Sequence, residues 1–132
     1  MTTQPDHGMQ DLIPRPERTP EAVRTALARI APHRLDDMER HKEQALSTAI
    51  QDGRIGHLQA WLTHWHVQVE IERRPDLHTR HQAALTAVHG TNDKGDPAFR
   101  RNMNALAAIE AEAARAVSAW AGSGSTTRTG GM

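Results

Sequence analysis

The sequence predicts an all-α protein, a compact bundle of four to five helices with disordered N- and C-terminal arms. Three observations carry that reading. Apolar residues recur at steps of three and four over most of the chain from Pro20 to Trp120. Pro and Gly fall at the ends of those stretches rather than inside them. The one strand-like alternation, Val67, Val69 and Ile71, follows a helical Trp61–Trp65 spacing and has no second strand to pair with. The length of 132 residues suits one domain, and with no Cys its core must come from packing alone.

The elements follow in order. Met1 to Thr19 is rich in Pro, Asp, Thr and Gln and carries little to bury, so it reads as an extended arm. Thr19-Pro20-Glu21 starts a first helix: Thr caps, Pro suits the first helical position and Glu favours the positive end of the dipole. Val23, Ala26, Leu27 and Ile30 form its stripe, and Pro32 ends it. A second helix carries Leu35, Met38, Ala45, Leu46, Ala49 and Ile50, with Gly53 as its stop.

The third segment, about Ile55 to Arg74, holds two apolar arcs. Ile55, Leu58, Trp61, Leu62, Trp65 and Val69 form the larger one, and Ala60, Val67 and Ile71 the smaller. A helix apolar on two sides is buried between neighbours, so this is the central helix. Its expected core residues are Leu58, Trp61, Leu62, Trp65 and Val69. Pro75 closes it, Asp76 is placed to cap a fourth helix bearing Leu77, Ala84, Leu85 and Val88, and Thr91 to Gly95 is a turn. Asp96-Pro97 starts the last helix, striped by Phe99, Met103, Leu106, Ile109, Ala113, Val117 and Trp120. The domain organisation is therefore a flexible arm at 1–18, a bundle at 19–121 and a flexible Gly/Ser/Thr tail at 122–132.

The runs PEAVRTALARIAPHRL and IGHLQAWLTHWHVQVEIERRPD carry Arg24, Leu27, Pro32 and Leu35, then Trp65, Ile71-Glu72-Arg73 and Pro75. From about Pro16 to Trp120 the chain resembles a family of short actinobacterial helical proteins defined as a domain of unknown function. That resemblance implies a small bacterial accessory protein, encoded beside its partner in the manner of an antitoxin. It implies no activity, cofactor or catalytic residue.

Composition narrows the function classes. Lys+Arg 16 balances Asp+Glu 16, which argues against a dedicated nucleic-acid binder or a polybasic membrane module. The second helix sets Asp36, Asp37, Glu39, Glu43 and Asp52 against Arg34, Arg40 and Lys42, the wrong sign for a recognition helix. A DNA-associated regulator is thus only a second alternative. No secretory h-region and no membrane-length apolar run is present, so cytoplasmic residence is expected.

Candidate chemistry is sparse. The serines lack a nucleophile-elbow context, and the glycines form no phosphate-cradling loop. Nine His residues invite a metal reading, but no Glu-x-x-His or His-Glu-x-x-His motif is present, and scattered surface His is the plainer account. Glu72, His81 and Glu110 each fall within an apolar arc. Converging, they would form a carboxylate–imidazole site for metal or acid–base chemistry. Pairing of each carboxylate with an Arg is the simpler outcome, and Lys42 in the second stripe can snorkel. The expectation is no enzyme, no cofactor and no metal. The function expected is protein–protein interaction with another chain, self or neighbour-encoded. Val117 and Trp120, on a distal last helix without an evident intrachain cover, are its candidate contacts.

Overall fold

A computed structural model describes residues 10–130, with side chains as far as Trp120. It contains α1 (Pro20–Ile30), a 3-10 turn (Pro32–Arg34), α2 (Leu35–Asp52), α3 (Gly56–Arg73), α4 (Pro75–His89) and α5 (Pro97–Gly130). No strand occurs among the described residues. The fold is all-α, as the periodicity predicts.

Local chemistry sets the boundaries. The Thr19 hydroxyl accepts a hydrogen bond from the Ala22 N–H at 3.1 Å and Pro20 opens α1. α2 ends where Gly53 adopts φ +74°, a left-handed conformation that a residue with a Cβ reaches only under strain. Arg74 alone separates α3 from α4; preceding a proline, it is extended, so the two helices meet at a sharp bend. Asp76 does not cap α4. Pro75 takes the first helical position, which starts the helix one residue earlier, and Asp76 instead pairs with Arg74 at 3.2 Å. The Asp96 carboxylate accepts from the Ala98 N–H at 2.8 Å and caps α5.

α3 is the central helix. On one side Trp61, Trp65 and Val69 pack with Val23, Ala26 and Leu27 of α1 and Met38 of α2. On the other, Val67 and Ile71 pack with Leu77 of α4 and Ile109 and Ala113 of α5. α5 runs antiparallel to the bent α3–α4 pair: Glu112 meets Arg80 at 3.1 Å, and further along Trp120 lies edge-on to His66 with ring centroids 6.2 Å apart.

Two boundaries fall elsewhere than the composition places them. α5 continues past Gly122 to Gly130. A glycine inside a helix costs only about 1 kcal/mol relative to alanine, too little to stop one already propagating. Gly131 and Met132 of the expected tail lie outside the described residues. At the other end, residues 1–9 of the expected arm also lie outside them, but residues 10–18 form a strap packed along α3. Ile13 is buried in the core, and the Leu12 N–H donates to the Arg73 carbonyl at 2.8 Å. His66 Nε2 donates to the Pro16 carbonyl at 2.9 Å.

The strap is held by a carboxylate. Glu70, whose side chain is fully buried, receives two hydrogen bonds from the Arg15 guanidinium, both 2.8 Å. Arg73 adds two more, at 2.9 and 3.3 Å, and Arg74 lies 3.5 Å away. Arg73 also donates to Asp11 and to the Ile13 carbonyl, each at 3.0 Å. Burial alone would push the Glu70 carboxyl up. The hydrogen bonds and charges of Arg15 and Arg73 outweigh it and hold the group at about 2. Strap, α3 and the start of α4 are therefore tied at one point.

Trp65 is 1% exposed, with the Arg34 guanidinium 5.0 Å from its ring centroid and the His41 and His64 rings at 5.6 and 5.3 Å. Trp65→Ala is expected to destabilise the fold by about 3–5 kcal/mol in urea unfolding, the range for aromatic truncation in a core. A near-neutral result would contradict this packing.

The Glu70 clamp predicts a pH dependence. A depressed carboxyl stabilises the native state above its ordinary value of 4.5, and that stabilisation is lost as pH falls from there through about 2. The shift corresponds to about 3 kcal/mol. Glu70→Gln should cost about 3–5 kcal/mol at neutral pH, because two guanidinium groups lose their counter-charge. Its unfolding free energy should also fall less steeply over the acid range. Equal acid slopes in the two proteins would show that Glu70 is not the responsible group.

Candidate functional site

The expected contact pair on the last helix is covered within the chain. Val117 is 4% exposed. Trp120 is half-buried, with the Arg15 guanidinium 5.6 Å from its ring centroid and His66 at its edge. The cover over Trp120 comes from Arg15 of the strap and His66 of α3. An extended arm over Met1 to Thr19, as the composition predicts, would leave this part of α5 bare.

The expected carboxylate–imidazole triad assembles only in part. His81 Nε2 stands 4.0 Å from the Glu110 carboxylate. Glu72 is engaged elsewhere, accepting from Arg34 at 3.1 Å with His78 at 3.4 Å on its other oxygen. Among the described residues, no group of three or more His, Cys, Asp or Glu is placed to hold a metal ion. Burial lowers the pKa of His81, and Glu110 and Glu72 oppose that effect. Lys42 does snorkel: its ammonium lies 6.0 Å from the Trp61 ring centroid and pairs with Glu39 at 3.3 Å.

The histidines do not scatter uniformly over the surface. His66 and His81 are buried. His41, His57 and His64 line one open groove of about 440 Å³ between α2 and α3, floored by Trp61 and Trp65. Burial also lowers His64. His57 is tied to Asp52 at 2.6 Å and stiffens the α2–α3 turn.

Three of the five exposed large apolar side chains among the described residues lie toward the tip of the α2–α3 hairpin, the other two being Leu12 of the strap and Met103 of α5. Leu46 is 46%, Ile50 74% and Ile55 63% exposed. All three were expected to be covered by their stripes. Leu58, an expected core residue, is only half-buried, and Leu62 is partly buried against the core.

The reason is length. α1 has 11 residues against 18 each in α2 and α3, so at 1.5 Å per residue it falls about 10 Å short. Arg24 meets Glu39 at 2.9 Å and Arg18 reaches Thr63, so α1 begins beside the middle of the hairpin. Everything from Leu46 to Leu58 lies beyond its N-terminal end. A shallow groove of about 450 Å³, lined by Glu43, Leu46, Ser47, Ile50 and Gln51, runs along this part of α2. The mismatch in helix length, visible in the sequence, was the signal that could have located it.

No protein-family model, curated protein or solved structure matches the chain. Among the described residues, no helix is long and apolar enough to cross a membrane.

These placements separate the two surfaces experimentally. Val117→Asp should cost more than about 3 kcal/mol in urea unfolding, because it buries an unpaired charge. Ile50→Asp should stay within about 0.5 kcal/mol of the parent. Reversed magnitudes would return the open surface to α5.

Proposed function

We propose that this chain is a non-catalytic interaction module of the cytoplasm that presents the distal α2–α3 hairpin to another protein chain. The observation that carries the reading is the exposure of Leu46, Ile50 and Ile55 around the turn at Gly53. A contiguous apolar area on the order of a few hundred Å² on a polar protein marks an interaction site more often than an accident of packing. The hairpin is rigid enough to serve. Trp61 Nε1 donates to the Met38 carbonyl at 3.0 Å across it, and Asp52 and His57 clamp its turn. Kinship with short actinobacterial accessory proteins, as the sequence suggests, would make this role an antitoxin-like one. Equal numbers of acidic and basic residues leave little net repulsion to oppose association.

The test is site-specific photo-crosslinking in growing bacterial cells. A photoreactive residue at Ile50 or Ile55 should give a discrete adduct, whereas one at the exposed α5 positions Arg101 or Ser118 should not. Absence of an adduct at both hairpin positions would overturn the reading.

A further inference from the structure

The open face of α2 carries the exposed Leu46 and Ile50 one helical turn apart. We propose that two copies of this chain pair through it, α2 against α2 in antiparallel sense about a twofold axis beside Ser47 and Thr48. This partner rests on the hairpin being the interaction surface.

A twofold contact brings residue i of one copy to residue j of the other and j to i. Leu46 and Ile50 are one helical turn apart on the face beyond α1. Antiparallel pairing centred beside residue 48 sets Leu46 of one copy against Ile50 of the other, twice over. Ser47 lies at the crossing, where a small side chain lets the two helices approach. The shallow groove along Glu43, Leu46, Ser47, Ile50 and Gln51 receives the projecting Ile50 of the second copy.

Charge selects the same arrangement. The charged residues of the hairpin between Glu39 and His57 are almost all satisfied within the chain: Glu39 with Arg24 and Lys42, Arg40 with Asp37, and Asp52 with His57. Among the described residues, Glu43 is the one carboxylate and Arg54 the one Lys or Arg in that stretch without an ion pair. They are opposite in sign and flank Leu46 and Ile50 on either side in the chain. The register that joins Leu46 to Ile50 brings Glu43 of one copy beside position 53 of the other, next to Arg54, again twice. Parallel pairing would set Glu43 against Glu43 and Arg54 against Arg54. Charges at the rim add little affinity but fix register and exclude the wrong orientation. The paired hairpins form a four-helix layer that covers the surface α1 is too short to reach.

The full chain contains no Cys, which makes the register directly testable. Sedimentation velocity from about 1 to 100 µM should show a concentration-dependent shift to a dimer, a range that spans ordinary weak self-association. Ile50→Asp should weaken dimerisation about tenfold or more. Glu43→Arg and Arg54→Glu should each weaken it, and the double exchange should restore it. Ser47→Cys should form an intermolecular disulfide under mild oxidation, whereas Ser118→Cys on α5 should not.

Crosslinking at Ile50 separates the two proposals. An adduct of twice the chain mass supports self-pairing. An adduct of another mass from a chain that stays monomeric overturns self-pairing and leaves the hairpin as an interaction surface. A monomer with no adduct overturns both. A dimer without rescue by the charge exchange and without the Ser47→Cys disulfide overturns the antiparallel register.

Discussion

The buried Glu70 carboxylate, gripped by Arg15 and Arg73 with Arg74 close by, is the interaction on which the rest of the structure depends. A charge taken out of water is tolerable only when it is paired and fully hydrogen-bonded. Glu70 meets that condition by recruiting a guanidinium from 55 residues away, which draws the strap down onto α3. Once the strap is in place, Ile13 completes the core beneath α1, and the Pro16 carbonyl accepts from Nε2 of the buried His66. The same Arg15 closes over Trp120 and so secures the distal part of α5. One ion cluster thus coordinates three surfaces that apolar packing alone would leave loosely related.

The two ends of α3 have opposite characters. Its C-terminal end is enclosed by the strap, α4 and α5, and carries the buried ionic cluster. Its N-terminal end projects with α2 beyond α1 and keeps Ile55 and Leu58 in whole or partial contact with solvent. Buried ionic and apolar contacts are therefore concentrated at one end of a single helix. Exposed groups at the other end contribute little to the fold, so that end can change its contacts without disturbing the first.

Much of the framework was legible. Helical spacing, proline starts and glycine stops located five helices, and the two arcs of α3 identified it as the helix between two cores. Trp61, Trp65 and Val69 were readable as core because the arc they share is wide and continuous. The triad of Glu72, His81 and Glu110 was not resolvable, because position on a wheel does not reveal which Arg will compete for a carboxylate. Arg34 takes Glu72. Glu70 escaped notice since it sits between the arcs, where a wheel predicts an edge rather than a buried site.

What the sequence determined by itself is local: which segments are helical, where they start and stop, and which faces are apolar. Those properties follow from backbone geometry, capping and periodicity within a few residues. What only the tertiary structure decided is which apolar faces find a cover. That depends on contacts between segments far apart in the chain. The Pro-rich strap buries Ile13 against α1 and α3 and sets Arg15 over Trp120 of α5, and an α1 seven residues shorter than α2 and α3 leaves the hairpin tip bare. Periodicity assigns a face to each helix, but the length and direction of its neighbours decide whether that face meets protein or water.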